Sequence, residues 1–178
     1  MAPDQTVWVL DDVRSVAEHY TPDGEVLGSF DPFATTPTNK GANSLAVDAT
    51  GNLYVSIAEP LKIAVFDSTG TLLRFVRDGD FAEQPTHMAI DPDGRLFVTQ
   101  GPERGEAPGV LAFGPDGTLL GGFGPSGNAD GQLVFPAGIA LDGKGGLYVE
   151  DSLPESARLM RLKLVGPATV GGARPKPP

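Results

Sequence analysis

Histidine and carboxylate side chains are the residues of this chain that could hold a metal or transfer a proton. The only histidines among its 178 residues are His19 and His87. A zinc site needs about three converging protein ligands, so two histidines cannot build a three-histidine centre, although Asp11 and Asp151 could assist His87. Calcium would need several oxygen ligands, which Asp11, Asn43 and Asp151 could supply only if the two ends of the fold meet. We therefore predict no cofactor, with zinc or calcium as open alternatives.

Three further aspartates occupy one place in a repeated pattern. Asp48, Asp91 and Asp142 each end an apolar stretch and begin a turn that contains glycine. An aspartate at such a place accepts hydrogen bonds from backbone N–H groups of the turn, so we predict a structural role. The chain has no cysteine, no phosphate-binding glycine loop and no Gly-x-Ser-x-Gly nucleophile motif. The sequence therefore predicts no catalytic residues.

The elements that position these side chains form a repeat. Segments 45–55, 88–98 and 139–149 each contain an apolar strand, a polar turn with glycine and a second apolar strand, which is the pattern of a β-hairpin. A second kind of hairpin occupies 16–27, 63–73 and 110–120, with its turn glycine at Gly24, Gly70 and Gly117. The unit is thus four strands in roughly 45 residues, which we name a, b, c and d from the inside outward.

This unit predicts an all-β chain that folds as a β-propeller of four-stranded antiparallel blades. A β-sandwich with similar turns is the alternative. The regular order of two hairpins favours the propeller, as does an aromatic residue at the matched position of strand b in each unit. These aromatic residues are Trp8, Tyr54, Phe97 and Tyr148.

The repeats also resemble a known family. Residues 136–142, Pro-Ala-Gly-Ile-Ala-Leu-Asp, and 147–152, Leu-Tyr-Val-Glu-Asp-Ser, are similar to the motifs of NHL repeats, and 85–91 matches with His87 in place of glycine. The resemblance extends from about Val7 to Val165. It implies a propeller, and it adds functions known in such folds: ligand binding at the central channel, zinc held by rim histidines in peptidyl-hydroxyglycine lyases, calcium in gluconolactonase-type propellers, and RNA binding.

The pattern predicts about four blades, of which the first and last are incomplete. Residues 7–11 align with strand b, so the first blade lacks strand a, and the last blade ends with strand c. We predict an N-terminal segment at 1–6, propeller blades at 7–166 and a Gly/Pro-rich disordered tail at 167–178. An open arc exposes apolar blade sides. The chain could be a fragment of a larger propeller, could close a ring as a homo-oligomer, or could form a small closed ring; we favour the first two.

The antiparallel order of strands a and b predicts where a ligand would bind. The start of each strand a lies beside the end of its strand b, at a rim around the channel mouth. Propellers commonly bind ligands at such a mouth. The candidate ligand-binding residues at this rim are Asp11, Asn43, His87, Gln100 and Asp151.

Net charge narrows the classes of partner. The formal charge is −10, and the 13 lysines and arginines are scattered, so we expect no nucleic-acid or membrane partner. The first residues lack the pattern of a signal peptide and no stretch is long enough to span a membrane, so we expect a soluble chain of unknown compartment. We predict a non-catalytic module that binds or scaffolds a protein, peptide or glycan through its rim. The alternative is a metal-dependent propeller enzyme of the lyase or lactonase/hydrolase type.

Overall fold

The computed structural model describes residues 4–11, 13–34, 41–77, 81, 83–101, 108–153, 156–165 and 169–170. Its regular structure consists of fifteen β-strands in the described residues, which confirms the all-β prediction. The strands are β1 Val7–Asp11, β2 Val16–Tyr20, β3 Val26–Phe30, β4 Ala42–Val47, β5 Leu53–Ile57, β6 Lys62–Phe66, β7 Leu72–Phe75, β8 Pro85–Ile90, β9 Leu96–Gln100, β10 Val110–Phe113, β11 Leu119–Phe123, β12 Pro136–Leu141, β13 Gly146–Leu153, β14 Ser156–Val165 and β15 Thr169–Val170. No helix long and apolar enough to cross a membrane occurs in these ranges.

The strands form four antiparallel sheets in which sequence neighbours are also spatial neighbours. The first sheet is β1-β2-β3, and the others are β4 to β7, β8 to β11 and β12 to β15. The inner strands contact one another in turn, β4 with β8 and β8 with β12. The sheets therefore stand side by side around one axis, with their innermost strands nearest to it.

One end of the sheets, which we name the turn face, is built from six reversals of the same geometry. They span 21–25, 48–52, 67–71, 91–95, 114–118 and 142–146, and in each the first N–H donates to the fifth carbonyl. The fourth residue of each is a glycine with φ between 79° and 88°, a left-handed conformation that costs other residues free energy. Because this turn recurs, its glycines mark the hairpin positions that the sequence predicts.

The aspartates at the a–b turns are structural caps, as the sequence predicts. The Asp48 carboxylate accepts the N–H groups of Thr50 and Asn52 at 2.9 and 3.0 Å. Asp91 and Asp142 accept the corresponding pairs of N–H groups in their own turns. The side chain thus satisfies donors that the tight reversal leaves without a strand partner.

The core lies between the sheets. Three apolar clusters fill the three interfaces, and the aromatic positions of strand b contribute to each of them. The register matches these aromatic residues to one position of strand c, which confirms the alignment of the repeats. The cross-strand pairs are Trp8 with His19, Tyr54 with Val65, Phe97 with Ala112 and Tyr148 with Arg161.

Two details differ from the sequence predictions. The last sheet has a fourth strand, because Thr169 and Val170 pair with Val165 and Leu164; two residues are too few for a periodic pattern to reveal. Each inner strand also contains a bulge, where two residues face one, as Asn43 and Ser44 face Ser56. The predicted boundary of the tail stays a prediction, since residues 166–168 and 171–178 lie outside the described part.

Candidate functional site

The end of the sheets opposite the turn face, which we name the loop face, contains the predicted rim. Here the start of each inner strand pairs with the end of strand b: Ala42 with Ile57, Pro85 with Gln100 and Pro136 with Asp151. The predicted neighbourhood of strand starts and strand ends is therefore present in the three sheets that have an inner strand. Each bulge lies directly beside this rim.

Buried hydroxyl groups hold the bulges of the second and third sheets. Ser56, which is fully buried, accepts the N–H groups of Asn43 and Ser44 at 3.2 and 2.9 Å. In the next sheet the fully buried Thr99 accepts the N–H of His87 at 3.0 Å. These bonds satisfy backbone donors that a bulge removes from the strand ladder. The backbone that carries the rim side chains is thereby fixed.

Asn43 and His87 are exposed on this fixed backbone. The Asn43 amide nitrogen lies 3.4 Å from the Pro85 carbonyl oxygen, which links β4 to β8. The Thr99 hydroxyl lies 3.2 Å from the Ala137 carbonyl oxygen of β12. Polar contacts therefore connect the three inner strands around the axis, and His87 stands on the middle one.

The register relates the rim positions of the three inner strands. Ser44 occupies the position of His87 and Gly138, because each lies three residues before the last residue of its strand. The candidate residue Asn43 therefore corresponds to Thr86, as the spacing of segments 45–55, 88–98 and 139–149 also indicates.

Asp151 is fully buried, and both of its carboxylate oxygens are engaged. One oxygen accepts the N–H groups of Val134 and Phe135 at 2.9 and 2.7 Å. The other accepts the Arg158 guanidinium at 2.8 Å. Arg158 also donates to carbonyl oxygens of the same crossing at Gly127, Asn128 and Gln132. The geometry makes Asp151 the centre of the crossing from the third sheet to the fourth.

Gln100 and Asp11 are also used within the fold. The Gln100 amide, in a residue only 3% exposed, donates to the Pro108 carbonyl at 2.7 Å. Asp11 accepts the backbone N–H and the guanidinium of Arg14, at 2.8 and 2.6 Å, and these bonds hold the pKa of its carboxyl below the ordinary value. Both side chains stabilise the connection between strands b and c of their own sheet.

Glu150 is a rim residue that sequence reasoning missed. It is exposed and occupies the strand b position of Ser56 and Thr99. A Cβ added at Gly138 would lie 3.1 Å from its carboxylate, so the glycine leaves room for the acid beside the bulge. Comparing Ser56, Thr99 and Glu150 across the repeats would have revealed it, since a charge replaces a small hydroxyl.

Metal-binding geometry is not assembled in the part of the chain that the structure describes. There, no three His, Cys, Asp or Glu side chains converge as ligands. His19 stands at the other end of the molecule, stacked on Trp8 at 4.1 Å and 2.6 Å from the Thr6 hydroxyl. It occupies the place of Val65 and Ala112, as the sequence predicts.

Among the residues that the structure describes, the turn face has a cavity at each junction between neighbouring sheets, which sequence reasoning did not foresee. Their volumes are about 150, 220 and 370 Å³. The largest lies between the second and third sheets, where the Arg74 guanidinium approaches the Tyr54 hydroxyl at 3.3 Å and donates to the Pro115 carbonyl at 2.8 Å. Because Arg74 bonds groups of both sheets, we interpret this cavity as a feature of the packing between them.

Comparison with known proteins identifies the architecture. No family model matches the chain and no curated protein is similar to it in sequence. A catalytically inactive variant of virginiamycin B lyase from Staphylococcus aureus, solved with quinupristin, matches 95% of this chain at 15% identity and a TM-score of 0.61. A Bacteroides caccae protein of unknown function matches 83% at 16% identity and 0.63. A structural-genomics protein with a provisional gluconolactonase assignment matches 93% at 21% identity and 0.63.

These identities establish the fold alone. The chain spans 55%, 55% and 58% of the three proteins, which is little more than half of each. Its four antiparallel sheets correspond to about half of a six-bladed propeller, so the described structure is a partial propeller.

Proposed function

We propose that this partial propeller, built from repeats of the NHL type, is a non-catalytic module that binds or scaffolds a protein, peptide or glycan at its loop face. The motifs at 85–91, 136–142 and 147–152 support the NHL assignment, since they carry its apolar strands and its aspartates in register. The binding surface consists of the exposed residues around the bulges, above all Asn43 and His87, while Glu150 lies at the bulge of the last sheet beside Gly138.

The observation that carries this proposal is the way His87 is presented. Its side chain is exposed, while its N–H bonds the buried Thr99 hydroxyl and its strand is tied to both neighbouring inner strands. A side chain on a fixed backbone loses little backbone entropy when it binds, which favours recognition. An imidazole can donate and accept a hydrogen bond and can stack, so it suits peptide and glycan groups alike.

The other candidate residues support a recognition role in a different way. Asp11, Gln100 and Asp151 direct their polar atoms to the connections that surround the rim. They hold the walls of the proposed site, so that its shape is set before a ligand arrives. Such a preorganised surface is typical of a binding module.

A displayed library of random peptides, selected on the immobilised chain, tests the proposal. We expect selected peptides to bind His87→Ala and Asn43→Ala at least about tenfold more weakly, as at an interface hot spot. Lys144→Ala is the matched control, because Lys144 is exposed on the turn face. Peptides that are insensitive to both rim substitutions, or that are weakened by the control, would contradict binding at the loop face.

The metal-dependent enzyme is the second candidate, and one observation favours it. In the residues that the structure describes, the His87 imidazole makes no hydrogen bond, so its ring nitrogens are available to an ion. Proteins of this fold include a lyase and a provisionally assigned gluconolactonase, and they suggest a class of reaction for this chain only by analogy. Elemental analysis separates the two functions: a stoichiometric metal that is lost in His87→Ala supports the enzyme, and a metal-free chain that still binds peptides supports the module.

A further inference from the structure

The two end sheets each have one side that faces away from the other sheets. We name the side of β1–β3 away from β4 the N-terminal open face; its residues on strands b and c are Val7, Val9, Asp11, Val16, Glu18 and Tyr20. We name the side of the last sheet away from β11 the C-terminal open face; its residues there are Tyr148, Glu150, Ser152, Ala157, Leu159, Arg161 and Lys163. The cross-strand registers define both sets.

Apolar residues persist on both open faces at positions that are buried elsewhere. Val7 and Val9 are 36% and 43% exposed, whereas the equivalent residues of the other sheets are at most 2% exposed. Leu159 is 68% exposed, and its equivalents are at most 1% exposed. Those equivalents are Leu53, Leu96 and Leu147 for Val7, Val55, Val98 and Val149 for Val9, and Ala17, Ile63 and Val110 for Leu159. The open faces thus keep the pattern of a surface that another sheet covers.

Charged residues appear at a pair of positions whose equivalents share a core cluster at two of the interfaces within the molecule. In the second interface Val65 and Leu111 belong to one cluster, and in the third Ala112 and Met160 do. By register, Arg161 takes the place of Val65 and Ala112 on the C-terminal open face. Glu18 takes the place of Leu111 and Met160 on the N-terminal open face. An apolar pair inside the molecule is therefore replaced by a basic and an acidic residue at its two ends.

We propose that the C-terminal open face of one copy of this chain docks on the N-terminal open face of a second copy, with Arg161 opposite Glu18. The contact repeats, at strands b and c, the packing that already joins the sheets within one copy, whereas the first sheet, β1-β2-β3, offers no inner strand to meet β12. Tyr148 and Leu159 cover Val7, Val9 and Tyr20 in this arrangement.

The charges select this pairing over the alternatives. Two N-terminal open faces would bring Asp11 and Glu18 against their own copies, and two C-terminal open faces would oppose Arg161 and Lys163 in the same way. The C-terminal open face also carries the acidic Glu150, and Arg14 is bonded to Asp11 and Glu18, so the selection rests on Arg161 and Glu18, which meet only in the mixed pairing. The contact is heterologous, so it produces a ring or an open chain of copies, depending on the rotation between them.

Sedimentation velocity of the 178-residue chain over a roughly hundredfold range of concentration tests the proposal. We expect concentration-dependent association that weakens at about 1 M salt, because part of the attraction is electrostatic. Glu18→Lys and Arg161→Glu should each weaken association by about tenfold or more. Glu25→Lys and Lys144→Glu are the matched charge reversals on the exposed turn face, and they should leave association unchanged.

A mixture of the two variants is the decisive experiment. Glu18→Lys alone opposes lysine to Arg161, and Arg161→Glu alone opposes two glutamates, but in an equimolar mixture every contact between unlike copies joins opposite charges. We expect the mixture to associate as the wild type does, which also shows that both variants are folded. A monomeric wild-type chain at all concentrations, association that ignores both reversals, or a mixture that stays monomeric would each overturn the proposal. Glu18→Gln, which keeps an acceptor for Tyr20, should give an intermediate effect.

Discussion

On the turn face six reversals share one backbone conformation, whereas on the loop face each described connection is held by different side chains. The turns need a glycine in fourth place and an Asp, Thr or Gly in first place, and these recur along the chain. The loop face instead uses Asp11 with Arg14, Gln100 with Pro108, and Asp151 with Arg158. The turn face therefore carries the repeated signals of the fold, whereas the loop face varies from sheet to sheet, as connecting loops commonly do.

The turn face and the loop face also differ in how many contacts depend on a single residue. A turn aspartate bonds mainly within its own turn; Asp142 also lies 3.6 Å from the exposed Arg161 guanidinium, a solvent-screened contact that contributes little, so the loss of a turn aspartate affects few residues outside the turn. Asp151 and Arg158 connect β13 and β14 to a crossing that begins more than twenty residues earlier in the chain. The loop face therefore concentrates stability in a few long-range contacts, and the turn face spreads it over many local ones.

Asp151→Ala should produce the largest loss of stability. It leaves the Arg158 guanidinium without a carboxylate partner and removes the acceptor for two N–H groups, so we expect a loss of about 3–5 kcal/mol in the free energy of unfolding. Chemical denaturation followed by circular dichroism measures it. Asp142→Ala, which affects one turn, should cost clearly less; equal losses would refute the contrast between the two faces.

Gly117→Ala should cause the second-largest loss of stability. It tests the assumption that a change in one turn affects that turn alone. Gly117 and Gly24 have nearly the same φ, at 86° and 88°, but a Cβ at Gly117 would overlap the Val76 carbonyl oxygen, while nothing lies within 4 Å at Gly24. We expect Gly24→Ala to cost about 1–2 kcal/mol for its backbone alone. Gly117→Ala adds about 1–3 kcal/mol for the displaced neighbouring strand. Similar midpoints for the two variants would mean that the sheets separate freely there.

Acidic pH should reduce the stability that the turn face contributes, and by less than either of these substitutions does. Hydrogen bonds from Thr69 and Thr71 hold the pKa of the Asp67 carboxyl below its ordinary value, and those from Thr118 do the same for Asp116. Because the folded pKa lies below the unfolded one, the stabilisation is complete above about pH 4 and is lost as the pH falls further. Asp67→Asn should therefore lose less stability than the wild type between about pH 5 and about pH 3. An identical acid profile would show that this turn does not contribute.

The sequence predicted the parts of the fold that repeat. The hairpin positions, the aspartate caps and the matched aromatic positions of strand b follow from glycine geometry and alternation, which act over a few residues. The sequence did not predict the bulges, the strand β15 or the contact of Asp151 with Arg158, because each depends on the position of backbone that is distant in the chain. At the rim, the sequence predicted the location of Asn43 and His87. The hydrogen bond of Gln100 within the fold and the position of Glu150 became evident only from the structure.

The bulge beside the rim has a consequence for how such a surface could diversify. Because two residues face one, Pro85 and Met88 lie on the same side of their strand although they are three positions apart. Alternation is thus reset between the packed half of each inner strand and its exposed end. Under the proposed function, substitutions at 43–44, 86–87 and 137–138 can therefore change what this surface binds without altering which side chains enter the space between the sheets.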